Sequence, residues 1–435
     1  MKAVSSRLTA AWALVPAIVL AAAAYEGPRT FQASEVLKPA QIKGPHFTVA
    51  PTVTFDGYLY VFDITSDYGA LEAEGKAMLL KRLHEVGVLA QLDEVSKSEV
   101  FLKAAGTSVL NVGKGVASVV NDPGATAKGV GGGLKRFGTN LGRKAKRASD
   151  EAVEDVKSDD KPSEGAQKST TDKAAEAGTG VAYSVLGVSK GARKWAAKVG
   201  ADPYTTNPIL KKALSDIGQI DAAGGIAAKV VVPIPMVVSG TASIGNLVWS
   251  KDPEELLKIN EQKLKELGAS GDTIKKLYTS KGFTLTLYTR LAQSLGAVKV
   301  PGCADYAATA AEADTEREAM FFTEGAEMLE RFHKTTPVAA LLTDSRALVA
   351  KAKDGRAFVL LPVDWVRWTE AYEKSLAEVE RRAKAELGAT KLDLRMTGTM
   401  SAVAKKEMAT RGWSVVENQP SSFEVAQSRA KTASK

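Results

Sequence analysis

Cysteine is almost missing from this chain: among 435 residues only Cys303 occurs, so no intramolecular disulfide can form and stability must come from packing. Histidine is scarce too. His46, His84 and His333 are too scattered for a metal site or a catalytic triad to be read from spacing. His84-Glu85 lacks the second His four residues after the first that a zinc protease requires. The glycine-rich stretches also lack the residues that would make them nucleotide sites. Gly113-Lys114-Gly115 has neither the four-residue gap nor the Ser or Thr of a phosphate loop, and Leu134 stands where a dinucleotide fingerprint needs its third Gly. Gly106-Thr107-Ser108-Val109-Leu110 begins like a nucleophile elbow without the second Gly that permits its strained turn. Cys303 has no nearby His or basic residue to activate its thiol, so a structural role is expected. No metal and no cofactor is expected. Aromatic residues make up only 6% of the chain against 45% hydrophobic overall, and the balance of Ala, Val and Leu favours helices.

Long apolar runs are few. Residues 222–249 form the most apolar stretch after the leader, with Lys229 as the only charge, but Pro233 and Pro235 interrupt it. A buried helical hairpin or a strand-and-helix core is expected there in preference to a membrane span. At the start of the chain, Lys2 and Arg7 precede an apolar run at residues 10–20 and the small residues Ala22-Ala23-Ala24. That is the pattern of a cleavable signal peptide, with the cut before Tyr25. Residues 8–24 are too short for an anchor, which needs about 20 apolar residues, and Pro16 lies among them. No cysteine follows, which closes the lipoprotein route. The expectation is an exported protein, periplasmic or otherwise, able to bind a membrane peripherally.

Beyond the leader, the expected fold is α+β and predominantly helical. Residues 25–105 read as a small N-terminal α+β unit: Tyr58, Tyr60, Phe62 and Ile64 alternate with Leu59, Val61, Asp63 and Thr65, and a helix with Leu79, Leu83, Val86 and Ala90 on one face follows. Residues 149–178 carry nine acidic residues, four Lys and no aromatic, which is the composition of a disordered linker. Residues 179–333 read as a helical domain. Asn207-Pro208 and Asp252-Pro253 mark helix starts there, and an acidic helix is expected over residues 304–333. Residues 334–418 read as a C-terminal α+β domain, with a hairpin at Asp354-Gly355, and residues 419–435 as a frayed tail. The octets starting at Ser108 and Ser184 agree at six of eight positions, which fits either duplication or shared Gly, Val and Lys bias.

Two places attract a functional reading. Residues 106–148 are rich in Gly, Val, Ala and Lys, and between Pro123 and Ser149 there are seven basic residues and no acidic one. Helical spacing puts Leu134, Phe137 and Leu141 on one stripe, with Lys135, Arg136, Arg143, Lys144, Lys146 and Arg147 beside or opposite it. Such a basic amphipathic helix can lie on an anionic membrane surface, or its apolar stripe can pack on the protein's own core. In the C-terminal region, Asp364, Trp365, Arg367 and Trp368 form a dense polar and aromatic cluster, suited to partner binding or to a site assembled from distant residues. A formal net charge of +8 is modest for the length, and the basic stretch holds one aromatic ring, so nucleic acid is not an expected partner.

Residues 57–101, containing Ile64-Thr65-Ser66-Asp67-Tyr68-Gly69, and the run Arg193-Lys-Trp-Ala-Ala-Lys-Val-Gly-Ala-Asp-Pro-Tyr-Thr-Thr-Asn-Pro208 resemble segments of uncharacterised exported proteins of Gram-negative bacteria. The resemblance implies export and transfers no activity or site residue. The leading expectation is therefore a cell-envelope protein, peripherally membrane-associated, with a structural or interaction role and an anionic membrane or another envelope protein as partner. A periplasmic enzyme with its site in the C-terminal α+β domain is the alternative.

Overall fold

A computed structural model describes residues 25–98, 188–224 and 242–433, of which 54% are helical and 18% lie in strands. The expected predominance of helix holds, and the sheets are several.

The first sheet is antiparallel. Its strands are β1 (Phe31–Gln32), β2 (Lys43–Gly44), β3 (Phe47–Val49), β4 (Thr52–Phe55), β5 (Tyr60–Ser66) and β6 (Gly69–Glu74). Helices α1 (Ala33–Val36) and α2 (Pro39–Ile42) join β1 to β2. The spine is β5. It pairs with β6 along one edge, from Val61 opposite Glu74 to Ser66 opposite Gly69, while β3 and β4 share its other edge. Ala50-Pro51 separates those two strands, and proline, lacking an N–H, cannot continue a ladder. Tyr60, Phe62 and Ile64 are buried on one face while Asp63 and Thr65 are exposed, which is the period of two read from the sequence. Against this sheet lies α3 (Lys76–Ser96), burying Met78, Leu79, Val86, Leu89 and Leu92.

The middle of the chain is helical: α4 (Lys190–Lys198), α5 (Pro208–Gly224), α6 (Ala242–Ser250), α7 (Pro253–Glu266), α8 (Gly271–Thr279), α9 (Leu285–Val298), α10 (Cys303–Ala310) and α11 (Glu316–Thr335). Ser189, Asp252, Ser270, Thr284 and Thr315 cap α4, α7, α8, α9 and α11, each side-chain oxygen accepting the N–H three residues on. Helices α4 and α5 meet at Gly191 and Gly218, where each backbone fills the space a side chain on the other would need. The single acidic helix expected over residues 304–333 is two helices. Thr315 and Glu318 form a new N-terminus, with the Thr315 hydroxyl accepting the Glu318 N–H and the Glu318 carboxylate accepting the Asp314 N–H at 2.9 Å.

The C-terminal region holds a five-stranded sheet ordered β13-β11-β9-β8-β7, built from β7 (Val338–Leu341), β8 (Leu348–Ala352), β9 (Arg356–Leu361), β11 (Lys391–Met396) and β13 (Ser414–Val416). Strands β9, β11 and β13 run parallel, and α12 (Glu370–Leu387) and α13 (Ala402–Thr410) make their crossovers, so strand and helix alternate here. A separate parallel pair, β10 (Trp365–Val366) with β12 (Thr399–Met400), sits off this sheet. Leu348, Ala350, Phe358 and Leu360 face the core shared with the helices and the first sheet, whereas Val349, Ala357, Val359, Leu392 and Leu394 face a second core with Trp368, Tyr372, Leu376 and Trp413. Burial on both faces explains why residues 357–361 are apolar without alternation. The expected Asp-Gly turn is present, with Gly355 at φ +88°.

Within the expected frayed tail, residues 422–433 are helical. Helix α14 (Ser422–Ala433) follows a reciprocal capping box, in which the Ser421 N–H bonds the Glu424 carboxylate at 2.9 Å and the Glu424 N–H bonds the Ser421 hydroxyl at 3.3 Å. Phe423 then packs beside Leu80 and the His84 ring, which fixes the helix on α3.

Candidate functional site

The basic stripe, comprising Leu134, Lys135, Arg136, Phe137, Leu141, Arg143, Lys144, Lys146 and Arg147, lies outside the described residues, as does the acidic stretch 149–178. Among the described residues, no helix is long and apolar enough to cross a membrane.

The cluster at residues 364–368, for which the sequence left open partner binding or a site assembled from distant residues, is an internal joint. Asp364, Trp365 and Trp368 are 5%, 7% and 1% exposed. The Trp365 ring stands edge-on to Phe31 and Phe55, each 5.0 Å away, so it closes the core of the first sheet. Trp368 donates its backbone N–H to the Glu26 carboxylate at 2.7 Å, its ring lies under the Arg411 guanidinium, and Arg367 reaches the Glu26 carbonyl at 3.4 Å. Asp364 caps α3 from 288 residues away. Its Oδ2 accepts the Lys76 and Tyr60 N–H groups, both at 3.0 Å. Burial pushes the Asp364 carboxyl up to about 6, against the opposing pull of those two N–H groups and the Lys76 ammonium. Gly398 is required beside it, because a Cβ there would overlap the Asp364 backbone.

Two buried charge networks hold the helices. In the first, Arg82 bonds Glu85 at 2.8 Å and Glu316 at 3.3 Å, Lys81 bonds Glu316 at 2.9 Å, and Thr205, Thr206 and Asn207 donate to the same carboxylates. Burial raises Glu316, but Lys81, Arg82 and the Thr206 hydroxyl outweigh it and hold the carboxyl at about 2. The C-terminal part of the run Arg193–Pro208 noted in the sequence thus serves to satisfy buried acids. In the second network Arg290 bonds Glu324 at 2.9 Å and Glu327 at 2.7 Å, while Ser294 donates to Glu330 and the Ser422 N–H to Glu324. These groups have structural partners and leave little capacity for a ligand.

Besides a 280 Å³ cavity that meets α11 only at Glu330, two cavities border this helix among the described residues. The larger, 520 Å³, has a mixed polar and apolar lining and lies beside Asp364. Its acids are engaged elsewhere: Glu35 with Arg29 and the Gln32 N–H, Glu324 with Arg290, and Glu424 with Ser421. The smaller, 170 Å³, lies between the first sheet, α11, α12 and the second sheet. Leu59, Phe321, Leu361, Val363, Leu376 and Val379 give it an apolar wall. At its polar edge Asp56 and Arg317 form an ion pair, and the Asp56 Oδ1 accepts the Tyr58 and Leu59 N–H groups at 2.9 and 2.8 Å. Glu318, also lining the cavity, is taken up in the cap of α11. Arg346 has no ion pair or hydrogen bond among the described residues. It is carried on the β7–β8 connection, which Arg382 braces by donating to the Thr343 and Asp344 carbonyls at 2.9 and 3.2 Å. Sequence reading missed this site. Its walls come from seven separate stretches, and a lone Arg between two strands gives no periodic signal.

The histidines have other partners. His84 bonds the Gly200 carbonyl at 2.8 Å, His333 accepts the Val338 N–H at 3.1 Å, and His46 pairs with Asp67 at 2.9 Å. Among the described residues no group of His, Cys, Asp and Glu is arranged to hold a metal. Cys303 is buried at the first turn of α10, and burial pushes its thiol up. Compared with protein-family models, curated proteins and solved structures, the chain gives no match.

Proposed function

We propose that this protein is an exported binding protein of the cell envelope that takes a small, largely apolar ligand into the 170 Å³ cavity between α11, α12 and the second sheet. The observation that carries this reading is the apolar wall of that cavity, formed by side chains from elements that are otherwise closely packed. An apolar cavity of about 150 Å³ is enough to admit benzene. Empty, such a void forfeits dispersion contacts that a ligand would restore.

The enzymatic alternative has less to draw on here. The Ser375 hydroxyl donates to the Ala371 carbonyl at 2.9 Å, and Asp56 is committed to Arg317 and two backbone N–H groups. The membrane-surface reading rests on residues 134–147 and is independent of the cavity.

Calorimetric titration with n-propylbenzene tests the proposal. Saturable binding is expected, with a rise in melting temperature that grows with ligand concentration. Ala347→Phe and Val379→Phe, which intrude on the cavity from the β7–β8 connection and from α12, should each abolish binding while leaving a cooperative melt. Absence of saturable binding to the unsubstituted protein, or binding indifferent to both substitutions, would remove this assignment.

A further inference from the structure

The formal charges around the apolar cavity sum to zero but are not all partnered, and the one without a partner says what kind of ligand fits. Four charged residues line it: Asp56, Arg317, Glu318 and Arg346. Asp56 and Arg317 neutralise each other, and Arg317 also approaches Glu74 at 3.6 Å. Glu318 accepts the Asp314 and its own helix's Thr315 cap, so its charge sits at the positive end of α11, where a carboxylate is favoured. Of the four, Arg346 alone has neither an ion pair nor a hydrogen bond among the described residues. It is half-buried, so part of its hydration is already lost. The connection that carries it is fixed at three points: Arg382 holds the Thr343 and Asp344 carbonyls, and the Ser345 hydroxyl donates to the Ala347 carbonyl at 2.8 Å. A guanidinium held by its own backbone, partly desolvated and bordering an apolar void is complementary to one chemistry.

Resting on the binding reading above, we infer that the ligand is an amphipathic monocarboxylate, with a ring-sized or short-chain apolar body inside the cavity and its carboxylate paired with Arg346. Guanidinium and carboxylate match as a planar fork, and such charge-assisted hydrogen bonds are stronger than neutral ones. The apolar body supplies affinity by filling the void, and Arg346 supplies the choice of head group. A cationic amphipath is disfavoured, because it would face Arg346 unpaired. A dianion would have one charge left over at an apolar wall.

A matched pair of probes separates this inference from the reading beneath it: 3-phenylpropionate and 3-phenyl-1-propanol, which share an apolar body and differ at the head. With the unsubstituted protein at neutral pH, the acid should bind about tenfold or more tightly than the alcohol. Arg346→Gln should bring the acid down to the level of the alcohol and leave the alcohol unchanged, while Arg346→Lys keeps part of the preference. Equal binding of acid and alcohol, or a preference that survives Arg346→Gln, overturns the head-group assignment and leaves the cavity reading standing. Failure of both probes to bind the unsubstituted protein overturns the cavity reading and this inference with it. Because Arg346 makes no internal hydrogen bond among the described residues, melting curves of its variants should match the parent, which excludes misfolding as the cause of a lost preference.

Discussion

The two sides of α11 solve opposite problems. Toward α9 and α14 it presents Glu324, Glu327 and Glu330, three buried acids, and the surrounding structure meets each with Arg290, Ser294, Lys334 or the Ser422 N–H. Toward α12 and the second sheet it presents Arg317, Phe321 and Phe322 to a cavity, with Arg346 beside it and without a partner among the described residues. Buried charge is tolerated only when every partner is supplied, because an unpaired ion loses hydration with nothing in return. A void and a free cation on the opposite side are therefore informative: they lie where the fold leaves packing and charge incomplete.

The largest effect should come from breaking the satisfied side. Arg290→Ala leaves Glu324 and Glu327 buried without their cation, and a loss of about 3–5 kcal/mol in unfolding free energy is expected by urea titration. Burial raises Glu327, but Arg290 overrides it and holds the carboxyl below its ordinary range, so its contribution is present above the unfolded carboxylate value and lost as pH falls. The Arg290→Ala protein should lose this acid sensitivity.

A second contrast uses the same substitution on each side. Leu329→Ala, at a site with no exposure, should cost about 3–4 kcal/mol, whereas Leu376→Ala, which already borders the cavity, should cost about 2 kcal/mol. Equal losses would mean that the void is filled by rearrangement in solution. Leu376→Ala should also admit a larger hydrocarbon.

The smallest effects concern Asp364. Asp364→Ala strands the Tyr60 and Lys76 N–H groups and should cost about 2 kcal/mol, while Asp364→Asn can still accept both and should change stability by less than about 1 kcal/mol at neutral pH. Its raised pKa, about 6, means the folded state holds this proton more tightly than the unfolded one. Its contribution to stability is full below the unfolded value near 4 and is lost as pH rises through about 6. Glu316, held at about 2, works in the other direction, contributing above its unfolded value and losing that contribution as pH falls. Subtracting the stability profile of Asp364→Asn from that of the parent between pH 4 and 7 isolates the Asp364 slope. A flat difference would show that Asp364 keeps its ordinary pKa.

Much of the secondary structure was legible because it depends on near neighbours. The alternation of Tyr60, Phe62 and Ile64 marks β5, Asp252-Pro253 opens α7, and Asp354-Gly355 turns β8 into β9. Where the sequence misled, a local signal was overlooked. Thr315 with Glu318 divides the expected acidic helix, and Ser421 with Glu424 starts a helix in the expected tail. Trp365 and Trp368 misled for a different reason: an aromatic and charged cluster reads the same whether it faces solvent or closes a joint, and only the first sheet packed over Trp365 distinguishes the two.

By itself the sequence determined the helix starts, the strand periods, the absence of any disulfide and the leader pattern, since each is a property of a few consecutive residues or of composition. Tertiary structure alone decided that Asp364 would cap a helix 288 residues away, that residues 201–208 would partner acids on α3 and α11, and that Arg346 would border an apolar cavity. Those arrangements depend on which distant surfaces meet. Packing of sheet against helix sets that, and no short stretch of sequence encodes it.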